Sequence, residues 1–208
     1  MITNEAEAQA YCAARLPQED LEKLAELSRM LLLENQQQNL VATGSLGSVW
    51  RRHLADSLQL VDHVPRGTGR WLDLGSGGGF PGLVVAIARP DTPVVLVESR
   101  NLRVEWLLGA AEKLGLENVE VVRSRLEAVP SAKAAAISAR AFAPLSKLLT
   151  LAKRFSTPDT FWVLPKGRSA GQELQDQPSA VRRMFHVEQS LTDSEAGILI
   201  GQGVPELR

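Results

Sequence analysis

Asp73-Leu74-Gly75-Ser76-Gly77-Gly78-Gly79-Phe80-Pro81-Gly82 is the stretch that decides the fold of this 208-residue chain. Five of its ten residues are Gly. Each Gly costs conformational entropy on folding, so a packed core gains nothing from such a density. A backbone that turns tightly and admits a ligand does gain from it. The stretch lies between the apolar pair Trp71-Leu72 and the apolar run Leu83-Val84-Val85-Ala86-Ile87-Ala88. Strand, glycine loop, helix is the arrangement that holds a nucleotide-like cofactor at a helix N-terminus.

Reading outward, the chain alternates. Strands are expected at 70–74, 94–98, 119–122, 134–138 and 161–164, with two more at 182–188 and 198–201. Helices are expected at 81–89, 101–115 and 145–154. Val94-Val95-Leu96-Val97 is a continuous apolar run of the kind buried parallel strands carry. Such alternation implies an α/β fold: an open, mostly parallel, seven-stranded sheet with helices on both faces and ligands beyond the carboxyl ends of its strands. Upstream lie three expected helices. The first covers 4–15. The second is opened by Pro17 and carries Leu21, Leu24, Leu27, Met30, Leu31 and Leu33 at helical spacing. The third covers 46–64. Pro65-Arg66-Gly67-Thr68-Gly69 reads as the boundary. Residues 1–65 are then an N-terminal helical extension, and residues 66–208 the cofactor-binding domain.

Two acids flank the loop. Asp73 ends the first strand, and Glu98 ends the second, 23 residues after Gly75. An acid at the second position accepts the hydroxyls of an adenosine ribose, which NAD and S-adenosylmethionine share. The spacing Gly75-x-Gly77-x-Gly79 suits a loop that cradles a zwitterionic methionine moiety. The dinucleotide pattern Gly77-x-Gly79-x-x-Gly82 sits late relative to the strand and is interrupted by Pro81.

Charge adds a second theme. The net charge is −1 and the pI about 6.3, with 44% hydrophobic residues, so global charge does not bring nucleic acid to the chain. Residues 1–48 sum to −4, but residues 121–154 hold seven basic residues against one acid, Glu127. A local patch of this kind points to a polyanionic partner. Arg123, Arg125 and Lys147 lie in it. Arg140 lies there too, among Ala139 and Ala141 just past the fourth strand. Lys166-Gly167 follows the fifth strand in the same way. Arg51, Arg52 and His53 reach that edge if the third helix packs over the cleft. Asp56 stands three or four residues from Arg52 and His53, which predicts a local helix ion pair. The single cysteine, Cys12, allows neither an internal disulfide nor a cysteine-based metal cluster, and no metal is expected. The first residues lack the basic and apolar regions of a signal peptide. No apolar run approaches the roughly 18 residues a membrane span needs. A reducing cytoplasm is the expected compartment.

Several motifs occur in order: Asn39-Leu40-Val41, Arg52-His53-Leu54-x-Asp56-Ser57, the glycine loop with Phe80-Pro81-Gly82, Ser124-Arg125-Leu126-Glu127, Ala139-Arg140-Ala141-Phe142-Ala143 and Leu164-Pro165-Lys166-Gly167. Together, from about residue 20 to about 201, they resemble the bacterial 16S ribosomal RNA guanine-N7 methyltransferase G family, also called the glucose-inhibited division protein B family. The resemblance implies a Rossmann-like class I methyltransferase with S-adenosylmethionine as methyl donor. It implies methylation of a guanine N7 in 16S rRNA of the small ribosomal subunit. By position it implies cofactor contacts at Gly75, Phe80, Glu98, Ser99, Arg100, Leu126, Glu127 and Arg140, beside Asp73, Gly77 and Gly79 from the loop itself. Arg140, Lys166 and His53 are then expected to position the substrate without a general base. Arg51, Arg52, Arg123, Arg125, Lys147 and Lys166 are expected to face RNA. A monomer without an obligate protein partner is expected. In the helix after the second strand, relatives commonly carry Lys-Arg where this chain has Leu102-Arg103. The residues alone leave three alternatives: a methyltransferase acting on a small molecule, an NAD-dependent Rossmann enzyme, and a non-catalytic RNA-binding module. The +6 segment speaks against the first, the glycine spacing against the second and the glycines themselves against the third.

Overall fold

In a computed structural model, residues 1–207 are described. Arg208, the last residue of the expected second domain, lies outside the described residues. Seven strands form one sheet: β1 (Trp71–Leu74), β2 (Val94–Glu98), β3 (Val119–Arg123), β4 (Ala136–Ser138), β5 (Phe161–Lys166), β6 (Phe185–Gln189) and β7 (Gly197–Gln202). Their order is β3-β2-β1-β4-β5-β7-β6. Parallel pairing runs from β3 to β5, and β7 is antiparallel to both β5 and β6. The chain runs outward from β1 to β3, then crosses to β4. The loops after β1 and β4 therefore diverge, and a crevice opens between them at the carboxyl ends.

Side-chain alternation along the strands divides the core in two. Trp71, Val94, Leu96, Ala136, Val163, Ile198 and Ile200 face one layer. Leu72, Leu74, Val95, Val97, Ile137, Trp162, Leu164 and Leu199 face the other. The second layer is covered by α6 (Leu145–Ala152), α7 (Ala170–Gln175) and α8 (Ser179–Met184). The first contains α4 (Gly82–Ala88) and α5 (Asn101–Lys113). All seven residues of α4 are buried. A helix that is apolar all round needs cover on both sides. The sheet gives one cover, and the N-terminal elements α1 (Glu5–Ala13) and α2 (Gln18–Glu34) share the same core cluster and help supply the other.

Two readings of the sequence require correction. Residues 46–64 do not form one regular helix. They lie in a 3₁₀ segment (Thr43–Ser48), a π-helical segment (Trp50–Ala55), a single α-turn, α3 (Asp56–Leu58), and a second 3₁₀ segment (Gln59–His63). The cause is local. Gly44, Ser45, Gly47 and Ser48 are poor helix formers, and the Glu5 carboxylate of α1 takes the amides of Trp50 and Arg51 at 2.9 and 2.8 Å, which fixes a new starting point. The other correction concerns 182–188. Arg182 to Met184 belong to α8, and β6 begins only at Phe185. Pro178 sets the start of α8, and Arg182 donates to the carbonyls of Gln175 and Gln177 at the end of α7. Among the described residues, no helix is long and apolar enough to cross a membrane.

Candidate active site

Gly75, Gly77 and Gly79 have φ of 66°, 56° and 93°, the left-handed region that side chains disfavour. A Cβ on Gly75 would overlap the Phe142 ring, and one on Gly79 would overlap Leu83. The loop is held from two sides. The Trp106 indole N–H donates to the Gly78 carbonyl at 3.1 Å. Above it, the Leu40 carbonyl lies 3.3 Å from where a Gly78 Cβ would stand. Buried Asn35 fixes that roof, because its Oδ1 accepts the amides of both Leu40 and Val41 at 2.9 Å.

Glu98 closes the far side. Its Oε1 accepts the Ser99 and Arg100 amides at 2.7 and 2.9 Å, and its Oε2 accepts the Gly77 amide at 3.0 Å. Ser99 and Arg100 are exposed at the cleft rim. Asp73 lies beneath the loop with its side chain fully buried, and β1 and β4 place it opposite Ser138. The Trp71 indole donates to Ser138 Oγ at 2.9 Å, and Ser138 donates to Asp73 Oδ1 at 2.6 Å. Asp73 Oδ2 has no partner among the described residues, and burial pushes the carboxyl up. Asp73 shapes the floor beneath the loop.

The wall between extension and loop is built from three side chains. His53 stacks on Phe80 with ring centroids 5.1 Å apart, and the Arg140 guanidinium lies 5.1 Å from the same ring. Arg140 Nη1 donates to the Arg52 carbonyl at 3.2 Å and to His53 Nδ1 at 3.0 Å. A guanidinium has no acceptor, so His53 Nδ1 carries the lone pair and Nε2 the proton. Nε2 then donates to Ser45 Oγ at 2.8 Å, and Ser45 donates to the Ala42 carbonyl at 2.7 Å. Burial, with Arg140 and Arg52 nearby, drives the His53 pKa down to about 3. His53 is a neutral, oriented ring.

Past this wall lies a cavity of about 950 Å³ at the carboxyl ends of β4 and β5. Arg52, His53 and Asp56 line it from the extension, and Arg140 to Pro144 after β4. Pro165 to Gly167 and Glu173 line it after β5, and the loop between β6 and β7 completes it. The expected ion pair of Asp56 with Arg52 and His53 does not form. Irregular turns point Asp56 inward, where it lies 3.9 Å from Arg140, while Arg52 pairs with Asp193 at 3.4 Å. Burial pushes the Asp56 carboxyl up, opposed by Arg140 and a hydrogen bond from Thr192. Lys166 is half-buried, donating to Glu173 Oε2 at 2.9 Å and the Ala143 carbonyl at 3.1 Å. Ala141, at φ 51°, is a non-glycine residue in the left-handed region at the cavity mouth.

The basic segment is not one patch. Arg140 is in the cavity, Lys133 donates to the carbonyls of Arg154 and Ser156, and Arg154 donates to the Leu126 carbonyl. Arg123, Arg125 and Lys147 are exposed, and Arg125 lies 4.0 Å from exposed Glu127. Arg51 donates to the Thr3 carbonyl at 2.8 Å. Leu126 is buried, and its carbonyl also accepts the Val129 amide at 3.2 Å. The sequence reading missed Asn35, Ser45 and Thr192. A buried Asn just past a helix end was the one available signal, since Ser45 and Thr192 act only through the fold. Among the described residues, no cluster of His, Cys, Asp and Glu could hold a metal ion.

A nucleoside with an amino-acid tail fits the loop. Glu98 Oε2 holds a single N–H and keeps a lone pair for a ribose hydroxyl. The side of Gly77 that a Cβ would occupy is bounded only by the Arg103 guanidinium tip at 3.4 Å and the Gly75 carbonyl at 3.6 Å. Solved structures share this architecture. A SAM-dependent methyltransferase from Aquifex aeolicus is 15% identical at a TM-score of 0.57, covering 76% of this chain and 94% of its own. A mutant of MtNAS in complex with S-adenosylmethionine is 14% identical at a TM-score of 0.57, covering 97% and 84%. The fold is that of class I S-adenosylmethionine-dependent methyltransferases. The family model described as rRNA small subunit methyltransferase G matches residues 20–197. Ribosomal RNA small subunit methyltransferase G of Erythrobacter litoralis is 57% identical over 98% of both chains. The protein of the same name from Novosphingobium aromaticivorans is 56% identical over 97% of this chain and 89% of its own. The chain belongs to the rRNA small subunit methyltransferase G family.

Proposed function

We propose that this protein transfers a methyl group from S-adenosylmethionine to N7 of a guanine in 16S rRNA of the small ribosomal subunit. The observation that carries the reading is the juncture at Phe80, where the cofactor loop meets the His53–Arg140 wall of the cavity. Bound S-adenosylmethionine supplies an electrophilic methyl group on a sulfonium. Guanine N7 carries a lone pair and no proton, so its methylation releases none and requires no general base. His53 agrees with this: both ring nitrogens are engaged and its pKa is far below neutrality. The chain's task is positioning, which accounts for much of such a rate. Glu98 and the loop amides hold the donor. Arg140, fixed by His53, stands between donor loop and cavity. The Glu173-bound Lys166 shapes the cavity's far side, and its charge faces any phosphate that enters. Exposed Arg123, Arg125 and Lys147 supply phosphate contacts outside it. Residues 1–65 serve as an extension on a methyltransferase domain at 66–208, in a cytoplasmic monomer.

The test is transfer of label from S-adenosylmethionine to small subunits isolated from cells that lack the modification. Labelled N7-methylguanine in 16S rRNA is expected. Cofactor binding without RNA labelling would instead indicate a small-molecule acceptor.

A further inference from the structure

Three carboxylates line the cavity, and they are not equivalent. Glu173 is spent: Oε1 accepts from Ser169 at 2.9 Å, and Oε2 accepts from Lys166 at 2.9 Å and the Leu145 amide at 2.8 Å. Asp193 is also engaged on both oxygens, with Arg52 at 3.4 Å and the Glu195 amide at 3.0 Å. Asp56 is divided. Its Oδ1 takes Thr192 Oγ1 at 2.6 Å, Gln59 Nε2 at 3.0 Å and Ser190 Oγ at 3.4 Å. Among the described residues its Oδ2 has only the Arg140 guanidinium, 3.9 Å away, which is too far for a hydrogen bond. Three donors lock the carboxylate in place and leave one oxygen unspent in the cavity. Arg140 is divided in the same way. Nη1 is used by Arg52 and His53, and its other N–H groups make no hydrogen bond among the described residues.

We propose that Asp56 Oδ2, together with the free N–H groups of the Arg140 guanidinium whose spent Nη1 lies 3.9 Å from that oxygen, reads the Watson–Crick edge of the target guanine. This rests on the methyl-transfer reading above. Guanine presents an acceptor, O6, next to two donors, N1–H and the N2 amino group. A fixed acceptor next to fixed donors matches that order. Adenine presents a donor, its N6 amino group, next to an acceptor, N1, so the same pair meets it with like facing like. Reading this edge also leaves N7, on the opposite edge, free to face the methyl donor. Asp56 is thus a specificity-determining residue supplied by the extension.

Inosine, which is guanosine without the N2 amino group, isolates the contact. Small subunits are reconstituted with 16S rRNA carrying guanosine or inosine at the methylated position, and single-turnover transfer is measured. Wild-type protein is expected to act on inosine about tenfold or more slowly, the worth of one hydrogen bond to a charged group. Asp56→Asn is expected to slow guanosine to a similar extent and bring the guanosine-to-inosine ratio close to one, with S-adenosylmethionine affinity unchanged by calorimetry. Thr192→Val, which removes the shortest of the three Oδ1 donors, is expected to lower the Tm and, by loosening the carboxylate, to move the ratio part of the way toward one. Equal wild-type rates on the two substrates would overturn the proposal without recourse to any variant. An Asp56→Asn ratio equal to that of wild type would do the same. Absence of transfer to guanosine by wild-type protein would instead remove the functional reading on which the proposal stands.

Discussion

His53 links the stability of the protein to pH. In the folded state its pKa is about 3, because burial and two nearby guanidinium groups disfavour the imidazolium. In the unfolded chain it titrates near 6.5. Above the unfolded value both states hold the ring neutral and pH has no leverage. Below it the unfolded chain takes up a proton that the folded one refuses, so stability falls as pH drops toward the folded value. The slope approaches about 1.4 kcal/mol per pH unit, and the loss between about pH 7.5 and about pH 5 is about 2 kcal/mol. For a chain of this length that is about 4–8 °C in Tm. The assay is urea unfolding of wild-type protein and His53→Gln across that range. Loss of the Phe80 stack lowers the variant's stability by an amount nearly independent of pH. The wild-type-minus-variant difference must therefore shrink by about 2 kcal/mol on acidification. A difference that stays flat would show a solvated ring, and one that grows on acidification would show a ring paired with a carboxylate; either would undo the tautomer assignment.

Other outcomes follow from the same geometry. Glu98→Ala removes the acceptor of three loop amides as well as the ribose contact, so calorimetry should find S-adenosylmethionine bound at least about tenfold more weakly. Ser138→Ala strands the Trp71 indole N–H and leaves the buried Asp73 carboxyl without its donor. A loss of about 2–4 kcal/mol is expected in denaturant titration, with the fold retained. Deleting residues 1–65 uncovers one side of α4, and the remaining fragment should be insoluble or molten by near-ultraviolet circular dichroism.

Most of the fold was legible because it depends on local signals. The glycine loop, the apolar run of β2 and the alternation of elements each announce themselves within ten residues or so. The irregular turns of 43–63 were not, since their geometry is imposed by Glu5, a residue on another helix. α8 was missed for a related reason: its single buried residue, Val181, followed by Phe185 and Val187, mimics strand alternation. In the site, Glu98 and Arg140 could be read from their places at strand ends. Asp56 was assigned the wrong partner, because helical spacing offered Arg52 and His53 while the fold delivered Arg140 and the loop between β6 and β7. Asp73 drew attention as an acid before the first glycine. Its burial is a matter of register against Ser138, which no short-range pattern encodes.

The roof over the glycine loop is fixed by side chains on both sides of it. Asn35 Oδ1 holds both Leu40 and Val41, and the Gln38 side chain ties the same segment to the Leu102 carbonyl at 3.1 Å. A cover already fixed before a ligand arrives adds little ordering entropy to the cost of binding. The end of α2 thereby acts as a preorganising element for the glycine loop.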